Sequence, residues 1–134
     1  MIKCYKNLHN YEVSALDIFN DNSKFVSGGS DKIVILTDVV EGKQIGRFTG
    51  HSGKVNTVEI NKDSNVIISG SYDTTVRCWD TRQSAYKPID IIKGFKDSVT
   101  HVENIGFEII CGSMDGTVRF YDIRKGEYII DDVG

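Results

Sequence analysis

The chain is predicted to be all-β, assembled from three copies of a four-stranded antiparallel unit with one extra strand at the N-terminal end. Three observations carry that expectation. Asp38, Asp80 and Asp122 recur every 42 residues, and self-similarity at a fixed period of this length marks a repeat architecture. A matching segment precedes each of them: Ser27-Gly28-Gly29-Ser30-Asp31, Ser69-Gly70-Ser71-Tyr72-Asp73 and Cys111-Gly112-Ser113-Met114-Asp115. Between these landmarks, short runs of β-branched and aromatic residues are bounded by turn formers, which is the pattern of strands.

Taken in order, Val13, Leu16 and Ile18 open the first unit, Val55, Val58 and Ile60 the second, and Val99 and Val102 the third. Each set reads as a buried inner strand. Asn20-Asp21-Asn22-Ser23 and Asn61-Lys62-Asp63-Ser64 supply tight turns, because such side chains bond their own backbone in bends. The third unit trims this turn, with 9 positions from Val102 to Cys111 against 11 from Val58 to Ser69. Second strands are expected near 24–28, 65–70 and 107–112, and third strands at 33–37, 75–79 and 117–121. Fourth strands, the most exposed, fall near 43–48, 86–93 and 127–130. The chain reads as a single domain with units at 9–48, 51–93 and 95–131. Residues 2–6 have no unit of their own and sit where the outer strand of a preceding unit should end, so the chain is expected to start mid-unit.

Composition narrows the function classes. A chain of 134 residues with 40% hydrophobic content can bury one moderate core. The net charge of −3, with Lys and Arg scattered among Asp and Glu, offers no basic stripe for a phosphate backbone, which argues against direct nucleic-acid binding. Cys4, Cys78 and Cys111 are odd in number and lack Cys-x-x-Cys spacing, which suits a reducing compartment. Met1-Ile2-Lys3-Cys4-Tyr5 lacks the apolar run of a signal peptide and no stretch has membrane length, so a cytoplasmic or nuclear location, or both, is expected. His9, His51 and His101 make no zinc spacing with the cysteines, so neither a metal nor a cofactor is expected. His101, between Thr100 and Val102, reads as a satisfied core or channel histidine, and Asp131-Asp132 as a solvated turn rather than a carboxylate pair.

The repeat length, the ending Cys78-Trp79-Asp80 and the Gly50-His51 that opens the next unit resemble the WD-repeat family of β-propellers. The resemblance implies a partial WD-repeat β-propeller of three four-stranded antiparallel blades plus the extra strand. It also implies a platform for other proteins, with function in exposed loops rather than in a catalytic pocket. His51, Ser69, Asp73 and Trp79 stand at the spacing of the family's structural tetrad. There the Trp79 indole donates to the Ser69 hydroxyl, the hydroxyl to the His51 ring, and the ring to the Asp73 carboxylate. Three of these residues also spell a serine hydrolase triad, with Ser69 as nucleophile, His51 as base and Asp73 as orienting group. Against catalysis, no Gly-x-Ser-x-Gly elbow surrounds Ser69, and the constellation decays from unit to unit. The first unit keeps His9, Ser27 and Asp31 but has Thr37 for Trp, while the third keeps Asp115 with Phe95, Cys111 and Tyr121 in the other places. Graded wear suits a structural role, and no catalytic residue is expected.

Tyr11-Glu12-Val13, Ser27-Gly28-Gly29 with Asp31-Lys32, Gly53-Lys54-Val55-Asn56-Thr57-Val58, Arg77-Cys78-Trp79-Asp80, Gly112-Ser113 with Asp115-Gly116, and Asp132-Val133-Gly134 run the length of the chain. Together they resemble the mitogen-activated protein kinase organiser family, WD-repeat scaffolds also found with the splicing machinery. That likeness implies three interior blades of a seven-bladed ring and protein partners from kinase cascades or the spliceosome. By repeat position it places partner contacts at Glu12, Ser14, Ser30, Lys54, Asn56, Tyr72, Ser98, Thr100 and Met114. Tyr72 and Met114 stand out, since each puts an adaptable apolar body where the fold requires no hydrophobe. Trp79-Asp80-Thr81-Arg82 and Tyr121-Asp122-Ile123-Arg124 are similar to the paired Asp-x-Arg boxes of cullin-RING ubiquitin ligase substrate receptors, in which the Arg contacts the adaptor. The alternative is that Arg82 and Arg124 pair with their own Asp across the turn. Propellers close with four to eight blades, so three leave two apolar faces open. Either the chain is an excerpt from a longer protein, its faces left to weak association, or copies assemble into a homodimer closing a six-bladed ring head to tail, with residues 2–6 completing a partner's last blade.

Overall fold

A computed structural model describes residues 12–19, 23–61, 66–81, 90–105, 108–122 and 127–132. Each repeat forms its own antiparallel sheet in simple chain order. The first holds β1 (Val13–Ile18), β2 (Lys24–Gly29), β3 (Ile33–Asp38) and β4 (Lys43–Thr49). The second holds β5 (Val55–Asn61), β6 (Val66–Ser71), β7 (Val76–Asp80) and β8 (Asp90–Ile92). The third holds β9 (Val99–Ile105), β10 (Glu108–Ser113), β11 (Thr117–Asp122) and β12 (Glu127–Asp132). Alternation along the strands then sends successive side chains to opposite sheet faces, so the middle sheet can be covered on both.

Two apolar layers result. Val26, Val34 and Leu36 of the first sheet meet Val55, Val58, Ile60, Ile67 and Trp79 of the second. The opposite face of the second sheet, with Val66, Ile68, Val76 and Cys78, meets Val99, Val102, Ile109, Cys111 and Tyr121 of the third. All six residues of β6 are consequently buried, at the centre of the described structure.

The blades join through the starts of their inner strands. Pairing skips Ser14 in β1, Asn56 in β5 and Thr100 in β9, so each inner strand carries a bulge at the same repeat position. A bulge re-aims a side chain out of the ordinary alternation. Here it sends Ser14 Oγ to the Val55 carbonyl at 2.5 Å and Asn56 Nδ2 to the Val99 carbonyl at 2.8 Å, each tying one blade to the next. Directly beneath, Val55 seats over Gly28 and Val99 over Gly70. A Cβ at Gly28 would lie 2.5 Å from Val55 Cγ1, and one at Gly70 would lie 2.7 Å from Val99 Cγ1. Farther along β1, Asp17 Oδ2 accepts the Ile60 amide at 3.0 Å, a third strand-to-strand tie.

Several expectations are corrected. Val13, Leu16 and Ile18 are not buried: they are 50%, 61% and 48% exposed, because no described blade packs on that side of the first sheet. The fourth strands are not uniformly exposed, since Phe48 and Ile92 are each 2% exposed and turn into the two layers. Asp131-Asp132 is no turn; both residues lie in β12, opposite Val118 and Thr117. The lone strand expected at 2–6, His9, the tips of the turns at 20–22 and 62–65, and residues 82–89 fall outside the described residues.

Gly28 and Gly70 should therefore be intolerant positions. Gly70→Ala pushes a methyl into Val99 and Thr57, and an overpacked layer costs roughly 1–3 kcal/mol. Urea denaturation of Gly28→Ala and Gly70→Ala should show both midpoints falling; an unchanged midpoint would mean the blades sit farther apart than described.

Candidate functional site

Two groups of residues compete for attention, one buried and one at the rim. The buried group is a directional hydrogen-bond chain in the second blade. Trp79 Nε1 donates to Ser69 Oγ at 2.9 Å, Ser69 Oγ lies 2.7 Å from His51 Nε2, and His51 Nδ1 lies 2.9 Å from Asp73 Oδ2. Because the Asp73 carboxylate can only accept, the neutral His51 ring carries its proton on Nδ1, and its bare Nε2 accepts from the Ser69 hydroxyl, which in turn accepts from the indole. The strands position each member: Ser69 on β6, Trp79 beside it on β7, and His51 on the loop entering the blade.

Asp73 is the anchor. Its Oδ2 also accepts the Ser52 amide at 2.9 Å, and its Oδ1 accepts the Thr75 amide at 3.0 Å and hydroxyl at 2.6 Å. Burial alone would raise its carboxyl, but the bonds from Thr75, His51 and Ser52 outweigh it and hold the group below the ordinary value of 3.8. For His51 the balance runs the other way. Desolvation lowers its pKa below 6.5 despite the opposing hydrogen bond and charge of Asp73.

This constellation has the connectivity of a hydrolase triad without its access. Ser69 is 0% exposed and its oxygen accepts the Trp79 indole N–H, so no substrate carbonyl can reach it. The Ser-His-Asp set is thus a buried clip between the loop at His51 and the turn at Asp73, not a nucleophile with a base.

The third blade keeps the clip and loses the relay. Asp115 still accepts the Lys96 amide at 2.8 Å and the Thr117 amide and hydroxyl at 2.9 and 2.5 Å. The Thr117 bond leads the causes that hold its carboxyl at about 2. Phe95, Cys111 and Tyr121 take the other places, all buried, and burial pushes the Cys111 thiol up to about 12. Arg119 adds a lock that the sequence reading missed: Nη2 donates to the Gly94 carbonyl at 2.7 Å, and the guanidinium lies 4.4 Å from the Phe95 ring centroid. An Arg beside an aromatic substitution, one strand from it, was the available signal. In the first blade Thr37 is 0% exposed and its hydroxyl has no partner among the described residues.

The rim group gathers at one end of the blades. Ser30 N donates to Glu12 O at 3.0 Å, Tyr72 N to Lys54 O at 2.9 Å and Met114 N to Ser98 O at 3.0 Å, so six of the nine expected contact positions are paired at equivalent places. Their side chains differ in availability. Glu12, Lys54, Tyr72, Thr100 and Met114 are exposed and Ser30 is half-buried. Ser98 is buried, and the Ser14 hydroxyl and the Asn56 amide nitrogen are engaged in the inter-blade ties. Arg82 and Arg124 lie outside the described residues. His101 is not a core residue; its side chain is 67% exposed, with Nε2 3.4 Å from Glu103 Oε1. Among the described residues, no group of three or more His, Cys, Asp and Glu side chains could hold a metal ion. Nor is any helix there long and apolar enough to cross a membrane.

A family model described as WD domain, G-beta repeat, matches residues 2–38, 42–80 and 86–122, each span taking in the first three strands of one sheet and ending on Asp38, Asp80 or Asp122. The chain belongs to the WD40 repeat family. The solved structure of U3-55K superposes on these WD40 blades with a TM-score of 0.83 at 19% identity, covering 90% of this chain and 39% of that one. The crystal structure of RRP9 WD40 repeats gives 0.83 at 20% identity, over 90% of this chain and 38% of that one. A WD repeat domain-containing protein 83 homolog of Dictyostelium discoideum is 32% identical over 95 residues, 70% of this chain and 29% of its own length. Pre-mRNA-processing factor 19 of Caenorhabditis elegans is 36% identical over 77 residues, 58% of this chain and 15% of its own. The chain therefore spans less than a third of the length of the curated relatives it matches.

The WD40 clip in the second blade makes stability acid-sensitive. His51 and Asp73 both have folded pKa values below their unfolded ones, so their stabilisation is complete above about pH 6.5 and is lost as pH falls, first through His51 and below pH 3.8 through Asp73. His51→Ala should lower stability at pH 7.5 by roughly 2–3 kcal/mol, through the cavity beside Trp79 and the orphaned Ser69 hydroxyl, and flatten the decline between pH 6.5 and 5. Denaturation across that pH range checks both effects.

The turns after these Asp residues share another feature. Lys32 and Thr74 adopt φ of 71° and 73°, and Gly116, at the same repeat position, 86°. A β-branched residue is strained in this region. Thr74→Gly should raise stability by about 1 kcal/mol, read as a higher melting temperature.

Proposed function

We propose that the chain is a non-catalytic scaffold that binds other proteins through the blade end carrying Tyr72 and Met114. One observation carries this reading: both side chains are 67% exposed at equivalent repeat positions, where neither contributes to the apolar layers. Lys54 stands beside Tyr72, adding a flexible charge to an aromatic anchor, a combination suited to protein hot spots. Nothing in the buried Ser-His-Asp clip competes with this as a site, since its nucleophile has no access.

Within that class, the chain resembles a mitogen-activated protein kinase cascade organiser that also associates with the spliceosome. The likeness to a pre-mRNA-processing factor supports the splicing side of that reading and, with it, a nuclear location. Resemblance of Asp80-Thr81-Arg82 and Asp122-Ile123-Arg124 to ubiquitin-ligase receptor boxes supplies the competing partner class.

Affinity capture from cell extract distinguishes these partners. Wild-type protein should retain kinase-cascade or splicing proteins, and Tyr72→Ala combined with Lys54→Glu should reduce their capture by roughly tenfold or more with melting unchanged. Unchanged capture would exclude this face. Recovery of a ligase adaptor, lost on charge reversal at Arg82 and Arg124, would favour the receptor reading instead.

A further inference from the structure

Arg77 and Arg119 hold the same repeat position, each on the third strand of its blade. In the third blade the guanidinium is fully engaged inside the fold. Its Nη2 and Nη1 donate to the Gly94 and Lys93 carbonyls at 2.7 and 3.4 Å, and it lies 4.4 Å from the Phe95 ring centroid. In the second blade the receiving loop is shaped differently. Gly50 takes φ of 155° where Gly94 takes 103°, and His51 stands in the place of Phe95, committed to Ser69 and Asp73. Arg77 still reaches that loop, since a Cβ at Gly50 would lie 3.0 Å from its Nη1 and 3.8 Å from its Cζ. Yet its guanidinium donates no hydrogen bond to any described residue.

The head group is thus half sequestered. Its Nε is buried without a partner among the described residues, while the two Nη nitrogens, equally unbonded, reach solvent from a half-buried side chain. An arginine cannot shed its charge as a buried lysine or histidine can, so every donor and the full attraction for an anion remain. The nearby carboxylate does not answer it: both oxygens of Asp73 are held by His51, Ser52 and Thr75. His51 adds no negative charge, being kept neutral first by desolvation and further by the field of Arg77 itself. Arg77 also belongs to the middle blade, between β6 and β8 and with described blades on both sides. A blade added at either end of the chain would not reach it.

We propose that Arg77 is an oxyanion-binding subsite, whose two Nη nitrogens receive a carboxylate or phosphate group presented by a protein partner. A guanidinium fork matches two oxygens of such a group at once, and bidentate charge-assisted pairs are the strongest bonds open to it. The subsite adjoins the rim already assigned to protein binding. The loop that Arg77 touches at Gly50 runs on to Gly53, where a Cβ would lie 3.4 Å from Tyr72 Cβ, and then to Lys54. Anion seat and aromatic anchor therefore lie at opposite ends of one short loop. A partner segment that lays an apolar residue on Tyr72 and directs an acidic or phosphorylated one toward Arg77 meets both. Only this pairing with Tyr72 rests on the rim reading; the anion subsite stands on Arg77 alone.

The chain is titrated with sodium acetate and, separately, with inorganic phosphate at constant ionic strength, while the arginine Nε–H signals are followed by NMR. The Arg77 signal should shift saturably and that of Arg119 should stay in place. Whichever anion binds more tightly tells whether the natural group is a carboxylate or a phosphoryl. Arg77→Lys keeps the charge but loses the fork, so anion binding, followed at the Gly50 and His51 amides, should weaken by roughly tenfold or more. A purely structural arginine would show itself in melting instead. Arg77→Met should melt with the wild type, because the guanidinium bonds nothing in the fold, whereas Arg119→Met should melt lower. An Arg77 signal indifferent to both anions, binding undiminished in Arg77→Lys, or a melting loss in Arg77→Met equal to that in Arg119→Met would each overturn the proposal. Capture from cell extract is the separate arm. Arg77→Lys should lower it, and unchanged capture would strike out the protein partner. If Tyr72→Ala has no effect on capture while the anion titration holds, the rim reading falls and the subsite remains.

Discussion

Everything in this fold depends on how closely two inner strands can approach. A residue without a Cβ at Gly28 and Gly70 lets Val55 and Val99 sit almost on the backbone of the preceding blade. The bulges at Ser14 and Asn56 then have carbonyls within reach. With any larger residue at the glycine, the sheets would separate, the bulge ties would lengthen, and the apolar layers would lose the dense packing that dispersion requires. One small residue per repeat thus sets the spacing for both polar and apolar contacts.

Against that spacing the second blade's hydrogen-bond chain is a refinement. It fastens the loop at His51 directly to the turn at Asp73 and, through Ser69, ties that loop to Trp79 on the neighbouring strand. The third blade achieves comparable fastening with Asp115 bonded to Lys96 and Arg119 laid over Phe95. The Asp is the shared element because its carboxylate meets two obligations at once, closing its own turn and holding the incoming loop. His, Ser and Trp answer a separate need, that of satisfying polar atoms in a layer that Phe, Cys and Tyr fill without a relay.

The sequence carried the architecture openly and the side-chain duties only in part. A 42-residue period and turn-bounded β-branched runs placed strands such as β3 and β11 to within a residue at either end. The tetrad was legible because its four residue types are unusual together. What misled was exposure. Val13, Leu16 and Ile18 read as core because hydrophobicity reports what a strand is suited to meet, not whether anything in the described residues meets it. His101 was misread for the related reason that it lies on an inner strand whose outward face is open. Ser14 and Asn56 were placed among partner contacts because a bulge is invisible in residue identity, although it turns those side chains into the next blade. Arg119 was overlooked since a cation on a strand ordinarily reads as solvated.

These corrections also sharpen what the rim can be for. At the blade end, one position per repeat has its backbone amide committed and its side chain free: Ser30, Tyr72 and Met114, each donating to the start of its own inner strand. Since the amide satisfies the fold whatever the side chain, that position is open to residues chosen for contact. In the first blade it holds a small polar residue, and in the next two it holds large apolar ones left 67% exposed. An exposed apolar side chain loses nothing in the folded state but gains from being covered, at roughly 25 cal/mol per Å² of apolar surface removed from water. Two of them on neighbouring blades, held rigid by a clip beneath each, present that gain without an ordering penalty in the backbone. The rigidity that the clips and glycines create is therefore what turns two ordinary side chains into a candidate binding surface.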